Sequence, residues 1–167
     1  MKKILCLIIA LLLSELTAKT VASSNVKVVD GDSLEINTRR IRLLGIDAPE
    51  LFQECFDKKG QTYMCGQEAK DYLQKLIETE QNKGEKLKCR AEAVDRYKRD
   101  LSICKIGKIN LNLEMIKNGL AVAYKEDMFQ AAQNKAKKAQ KGIWQGKFMR
   151  PELYRTLKRE QEKQKKQ

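Results

Sequence analysis

The 167-residue chain contains no histidine. That removes the side chain most often used for proton transfer near neutral pH, and with it the commonest nitrogen ligand of zinc. No Cys-x-x-Cys pair is present either, so the cysteines do not read as a zinc site. No apolar stretch approaches the roughly 20 residues that a bilayer-crossing helix requires. Internal repeats are missing too. Acidic side chains are in deficit, 22 against 34 basic ones, which leaves a formal charge of +12. Such a surplus favours nucleic acid or anionic surfaces as partners.

What the N-terminus does hold is Met1-Lys2-Lys3, an apolar run from Ile4 to Leu13, and small or polar residues around Thr20-Val21-Ala22. This is the layout of a secretory signal: a basic start, a short apolar core, a small-residue cleavage site. Cleavage is expected after Ala22, with Ala18 as the alternative, and an uncleaved anchor as the competing interpretation. Cys6 lies inside the apolar run and is not read as a lipid attachment site. Removing residues 1–22 takes away three lysines and one glutamate, leaving 145 residues at +10. That length suffices for one domain with a real core. A secreted or periplasmic monomer is expected, free of the membrane once cleaved and with no stable protein partner.

Four cysteines remain, Cys55, Cys65, Cys89 and Cys104, an even count that in an exported chain points to two disulfides. Residues 86–94 and 99–106 alternate like strands around Asp95-Arg96-Tyr97-Lys98. If those four residues close a hairpin, Val94 faces Arg99 and Cys89 faces Cys104, near enough for a disulfide. Cys55–Cys65 is then the second pair, closing a loop that contains Gly60.

Along the chain, Val26 to Val29 reads as a strand and Asp30-Gly31 as a turn. Leu34 and Ile36 alternate with polar neighbours, and Ile41 to Ile46 forms a further strand that Pro49 ends. A helix fits Gln67 to about Glu80, with Ala69, Tyr72, Leu73, Leu76 and Ile77 on one face. A second fits Asn110 or Leu111 to Asn118, closed by Gly119. A third fits Asp127 to about Lys141, turning Phe129, Ala132, Ala136 and Ala139 inward. Residues 151–167 are heavily charged, and Glu160 to Gln167 hold no apolar side chain, so a frayed tail is expected there. The sum is an α+β domain over residues 23–150, a small β-barrel with helices against it.

The chemistry concentrates in Asp30-Gly31-Asp32 and Arg42-Leu43-Leu44-Gly45-Ile46-Asp47-Ala48-Pro49-Glu50, with Asp95-Arg96-Tyr97-Lys98-Arg99 further on. Carboxylates hold a hard cation, guanidinium forks match phosphate oxygens, and an acid left outside the metal shell can take a proton from water. With histidine absent, a carboxylate is the natural base. Each residue also has a plain structural role: a hairpin turn for Asp30-Gly31-Asp32, an exposed strand arginine for Arg42, a local ion pair with Asp95 or Asp100 for Arg99.

These motifs, together with Asn118-Gly119-Leu120-Ala121 and Gly142-Ile143-Trp144, resemble the staphylococcal nuclease, or thermonuclease, family from about Val26 to Trp144. The resemblance implies a five-stranded oligonucleotide/oligosaccharide-binding (OB-fold) barrel with three packed helices. It also implies Ca2+-dependent hydrolysis of DNA and RNA that leaves 3′-phosphate ends. Carried over residue by residue, Asp32, Asp47 and the Ala48 carbonyl resemble the metal ligands, Arg42 and Arg99 the catalytic arginines, and Glu50 the general base. Tyr97 and Tyr124 match positions lining the nucleotide pocket. Exported relatives often carry the same two cysteine pairs. Lys98 stands where the family often has glycine, so a different turn conformation is expected there. The competing interpretations are a non-enzymatic barrel that binds single-stranded nucleic acid, and an envelope-associated protein using its basic tail.

Overall fold

The structure, a computed structural model, describes residues 20–23, 25–124 and 127–166. Most of the expected signal segment and the final residue of the tail lie outside the described residues.

Short strand β1 (Thr20–Ser23) is followed by β2 (Val26–Asp30), β3 (Ser33–Ile36) and β4 (Arg39–Leu43), which pair antiparallel in succession. Alternation drives this meander: Val28, Leu34, Ile36, Ile41 and Leu43 are buried while their polar neighbours face out. The strand expected to run unbroken from Ile41 to Ile46 is instead cut at Leu44-Gly45. Gly45 takes φ +76°, a left-handed turn that re-aims the chain into β5 (Ile46–Asp47). Beyond it, the stretch to Gly66 holds a small hairpin, β6 (Cys55–Phe56) with β7 (Thr62–Tyr63), and Cys55 is disulfide-bonded to Cys65.

Helix α1 (Cys65–Asn82) buries Ala69, Leu73 and Ile77, one face at four-residue spacing. Strands β8 (Leu87–Val94) and β9 (Asp100–Ile106) form the long hairpin, with Cys89 directly opposite Cys104 and the two joined at a Cα separation of 4.1 Å. The register near the turn differs from expectation. Val94 faces Asp100 rather than Arg99, so the loop is five residues long. A bulge between Ala91 and Ala93 absorbs the extra residue and restores the cysteine pairing. Short β10 (Ile109–Asn110) leads into α2 (Leu111–Lys117), where the Asn110 side chain caps by accepting from the Leu113 N–H.

Strand β11 (Val122–Ala123) pairs with β5. A 3-10 turn, Asp127–Phe129, precedes helix α3 (Gln130–Lys138), which is shorter than expected and buries Gln133 and Ala136 beside Phe129. Ala139 is exposed, because the helix ends one residue before it. The largest correction concerns the C-terminus. Pro151 opens helix α4 (Pro151–Gln164), so most of the segment expected to fray is helical.

In the main sheet the strands run β1-β8-β9-β4-β3-β2, with β10 on β9. The five principal strands curl into a half-barrel and, with four helices, give the α+β, OB-like architecture. One continuous core fills it, from Val28 and Leu34 through Leu73, Leu87 and Ile106 to Met115 and Phe129. Asn112 is buried in that core and satisfied: its amide donates to the Leu44 and Ser102 carbonyls, and its oxygen accepts from the Cys104 N–H. A cut after Ala18 would keep all of β1, whereas a cut after Ala22 would remove three of its four residues. No helix among the described residues is long and apolar enough to cross a membrane.

Candidate active site

Asp32 sits in the tight turn between β2 and β3, where the Asp30 carboxylate accepts the Asp32 N–H at 3.0 Å. Ser33 opens β3 opposite Arg42 on β4, which sets the Arg42 side chain beside Asp32. The Leu44-Gly45 turn then delivers Asp47 on β5 to the other side of the same guanidinium. Arg42 donates from Nη1 to Asp32 Oδ1 (2.8 Å) and from Nη2 to Asp47 Oδ1 (2.7 Å), one fork spanning two carboxylates. Both acids are deeply buried, Asp32 at 3% exposure and Asp47 at 1%.

Burial pushes the Asp32 carboxyl up to about 6; the Arg42 charge and the Ala48 N–H bond pull it down, and nearby Asp30 pushes further up. Arg42 shows the reverse balance. Burial works against its charge, but Asp32 and Asp47 outweigh that and hold it above the usual arginine value. Ala48 donates its N–H to Asp32 Oδ2 at 2.9 Å. Glu50 follows, half-buried, with its N–H on the Gln53 side chain (3.2 Å) and its carbonyl accepting from the Gln53 N–H (2.7 Å). Gly66 is what allows this approach: a Cβ there would fall 1.7 Å from the Glu50 carbonyl oxygen. The start of α1 therefore presses directly on the backbone that carries Glu50.

Sequence reasoning missed one member of the cluster. Arg155, on α4, donates from Nη1 to Asp47 Oδ1 (2.9 Å) and Glu50 Oε1 (2.8 Å), and from Nη2 to Asp47 Oδ2 (3.0 Å). Burial opposes its charge, yet these hydrogen bonds prevail and raise its pKa further. Arg155 thus shares Asp47 with Arg42 and ties Glu50 to it.

Arg99 sits elsewhere. It lies at the end of the β8–β9 loop, two residues before Leu101, the partner of Arg42 across the β4–β9 pairing. Its side chain turns back to its own loop, with Nε (2.8 Å) and Nη2 (2.7 Å) both on Asp95 Oδ2. Burial raises the Asp95 carboxyl, but the Arg99 and Tyr97 bonds outweigh that and hold it below its usual value. Tyr97, 49% exposed, stands under the Arg99 guanidinium at 5.5 Å and the Arg96 guanidinium at 4.8 Å. The loop is docked on β4, Arg39 pairing with Asp100 and Arg40 with the Tyr97 carbonyl. Among the described residues, Arg99 forms no ion pair with Asp32, Asp47 or Glu50. Tyr124 follows β11, its N–H on the Gly45 carbonyl at 3.0 Å, which places it beside the strand of Asp47.

Residues 40–146, the stretch that supplies every sequence-predicted member of this site except Asp32, match the profile of the staphylococcal nuclease homologue family. The chain belongs to the staphylococcal nuclease family. Its similarity to family members extends over about 70% of its length. It is 33% identical over 121 residues to the succinoglycan biosynthesis protein ExoI of Rhizobium meliloti, covering 70% of this chain and 61% of that protein. It is 37% identical over 137 residues to endonuclease YhcR of Bacillus subtilis, covering 71% of this chain but only 11% of that much longer relative. It is also 30% identical over 130 residues to the thermonuclease of Staphylococcus hyicus, covering 71% and 73%.

Members of the staphylococcal nuclease family are metal-dependent, and the donor set here suits a hard cation. Asp32, Asp47 and Glu50 offer only oxygen; the chain has no imidazole, and among the described residues every cysteine is in a disulfide. Among the described residues, no three or more Asp, Glu, His or Cys side chains gather as a closed metal cluster. Whatever ion binds must therefore complete its shell with backbone oxygen, water or substrate. The Asp32–Asp47 pair bridged by Arg42 is the place that fits.

Proposed function

We propose that this domain is a Ca2+-dependent, sugar-nonspecific nuclease that hydrolyses phosphodiester bonds of DNA and RNA and leaves 3′-phosphate ends. The observation that carries the reading is the Arg42 fork across Asp32 and Asp47, with Glu50 tied into the same network through Arg155. A pure nucleic-acid binder has no use for two buried carboxylates at that point.

In this reading Asp32, Asp47 and the Ala48 carbonyl hold the calcium ion, which when bound supplies positive charge next to the scissile phosphate. Arg42 and Arg99 are the two guanidinium groups for the phosphate oxygens, where charge builds in the transition state. Glu50, more open to solvent than the buried aspartates, takes the proton of the attacking water. Arg155 holds the Glu50 carboxylate in position. Tyr97 and Tyr124 flank the nucleotide. The two disulfides support a working place outside the cytoplasm, secreted or periplasmic, reached by way of the N-terminal signal. A monomer suffices for every role named.

The test is degradation of single-stranded DNA and RNA by the exported chain under oxidising conditions, with calcium and with chelator. Cleavage is expected only with calcium, and the products are expected to become polymerase primers only after phosphatase treatment. Wild-type turnover by the Glu50→Ala protein would remove that residue as the base.

A further inference from the structure

Large aromatic side chains rarely stand in water without a reason, and this molecule gathers several beside the carboxylate–arginine cluster. Phe52 is 74% exposed and Phe56 45% exposed. With Phe148 and Tyr154 they line a groove of about 500 Å³ whose lining also holds two cations, Lys147 and Lys158, against one carboxylate, Glu54. Two of its lining residues are close neighbours in the chain of residues in the candidate active site. On one wall Phe52 lies two residues beyond Glu50; on the other Tyr154 immediately precedes Arg155, which holds Glu50 and Asp47.

Its shape is already set. Tyr154 Oη donates to the Phe52 carbonyl (3.2 Å), the Phe56 N–H to the Lys147 carbonyl (2.8 Å), and the Gln53 amide to the Met149 carbonyl (2.7 Å). The Cys55–Cys65 disulfide closes the loop at its base. A backbone frame and a Tyr154 ring fixed in this way leave less to order when a flat ligand arrives. The flanking charge narrows the occupant further. Lys147 and Lys158 are exposed, and Lys158 Nζ stands 5.5 Å from the Tyr154 ring centre. Aromatic faces between exposed cations fit a strand whose bases stack and whose phosphates lie against the lysines. An apolar peptide would leave those charges unanswered.

We propose that this groove is a base-stacking subsite for single-stranded nucleic acid, holding a nucleobase of the strand beyond the scissile phosphate. Duplex bases, already stacked on one another, cannot enter it without unpairing. The inference rests on the nuclease reading for its geometry, and binding tests it independently of turnover.

The experiment compares two fluorescent probes in anisotropy titrations with chelator present: a short thymidine oligonucleotide, and an abasic strand of equal length with the same phosphates. Wild-type protein is expected to bind the base-bearing strand about tenfold or more tightly, the scale of one stacked base. The Phe52→Ala/Phe56→Ala double variant is expected to lose most of that preference, keeping what Tyr97 and Tyr124 contribute, and to keep its affinity for the abasic strand. Phe52→Leu alone, which keeps apolar bulk without a ring face, is expected to lose part of it, so a folding defect in the double variant would not obscure the answer. Equal preference for bases in wild type and variants overturns the proposal. So does a variant that binds both probes normally but changes its sedimentation, since the groove would then belong to a second copy of the chain. Base-dependent binding without any cleavage in calcium would instead leave the groove in place and remove the nuclease reading.

Discussion

The cluster around Arg42 and the loop that carries Arg99 use the same two kinds of side chain under opposite constraints. Arg42 is fixed by residues from three separate elements: Asp32 from the turn before β3, Asp47 from β5, and its own strand β4. Both partner acids are buried; Asp32 has Arg42 as its one cationic partner among the described residues, and Asp47 shares Arg42 with Arg155. Arg99 is fixed by Asp95, four residues away in the same loop and less deeply buried. One arginine is part of the fold and the other decorates it. A site assembled from both combines a rigid half, set by long-range strand pairing, with a half that can turn toward a substrate by giving up one local pair.

The sharpest way to break that contrast is to remove each guanidinium in turn. Arg42→Ala and Arg99→Ala are both expected to lower nuclease turnover by about a hundredfold or more. Their effects on denaturant unfolding should diverge. Arg42→Ala leaves buried Asp32 without its cation, while Asp47 keeps Arg155, and is expected to cost about 3 kcal/mol. Arg99→Ala is expected to cost less than about 1 kcal/mol. Equal losses would mean that the two settings are energetically alike.

Acidity gives a second, somewhat smaller test, because the two aspartates shift in opposite directions. Asp32 binds its proton more tightly folded, at about 6, than at its ordinary 3.8. Its contribution to stability is therefore complete below about pH 4 and lost as pH rises through 6, a swing of about 3 kcal/mol at most. Asp95 is held below its ordinary value, so its contribution exists above that value and is lost as pH falls. In chelator, Asp32→Asn should gain stability relative to wild type on going from pH 4 to pH 7, while Asp95→Asn should lose it as pH rises from well below 3.8 to above it. Slopes of the same sign would contradict the assignment.

The smallest effect belongs to the loop itself. Lys98 adopts φ +60°, the left-handed conformation that glycine favours. Lys98→Gly is expected to raise stability by about 1 kcal/mol in thermal or denaturant unfolding, without altering the Asp95–Arg99 pair.

Much of this arrangement could be read from the chain alone, for identifiable reasons. Asp32, Arg42, Asp47 and Glu50 fall within nineteen consecutive residues, where turn and strand periodicity decide who meets whom. The cysteine register came out correctly through two compensating details, since the bulge between Ala91 and Ala93 offsets a loop one residue longer than expected. Arg155 was out of reach because it is 108 positions from Asp47 and lies in a run of charge with no motif. The helix that carries it did leave a trace: Pro151 at its first turn, Glu152 behind it, and strong helix formers thereafter. Composition alone outweighed those signals.

The reach of α4 also bears on where this protein can be trimmed. The family match stops at residue 146, nine positions short of Arg155. Asp32, Asp47 and Glu50 set against Arg42 and Arg155 leave an excess of one negative charge; a chain truncated after Gly146 would leave an excess of two around the same point. Such a shortened protein would keep its half-barrel but lose one wall of the cleft, and its cation affinity and its optimum acidity would no longer report on the parent molecule.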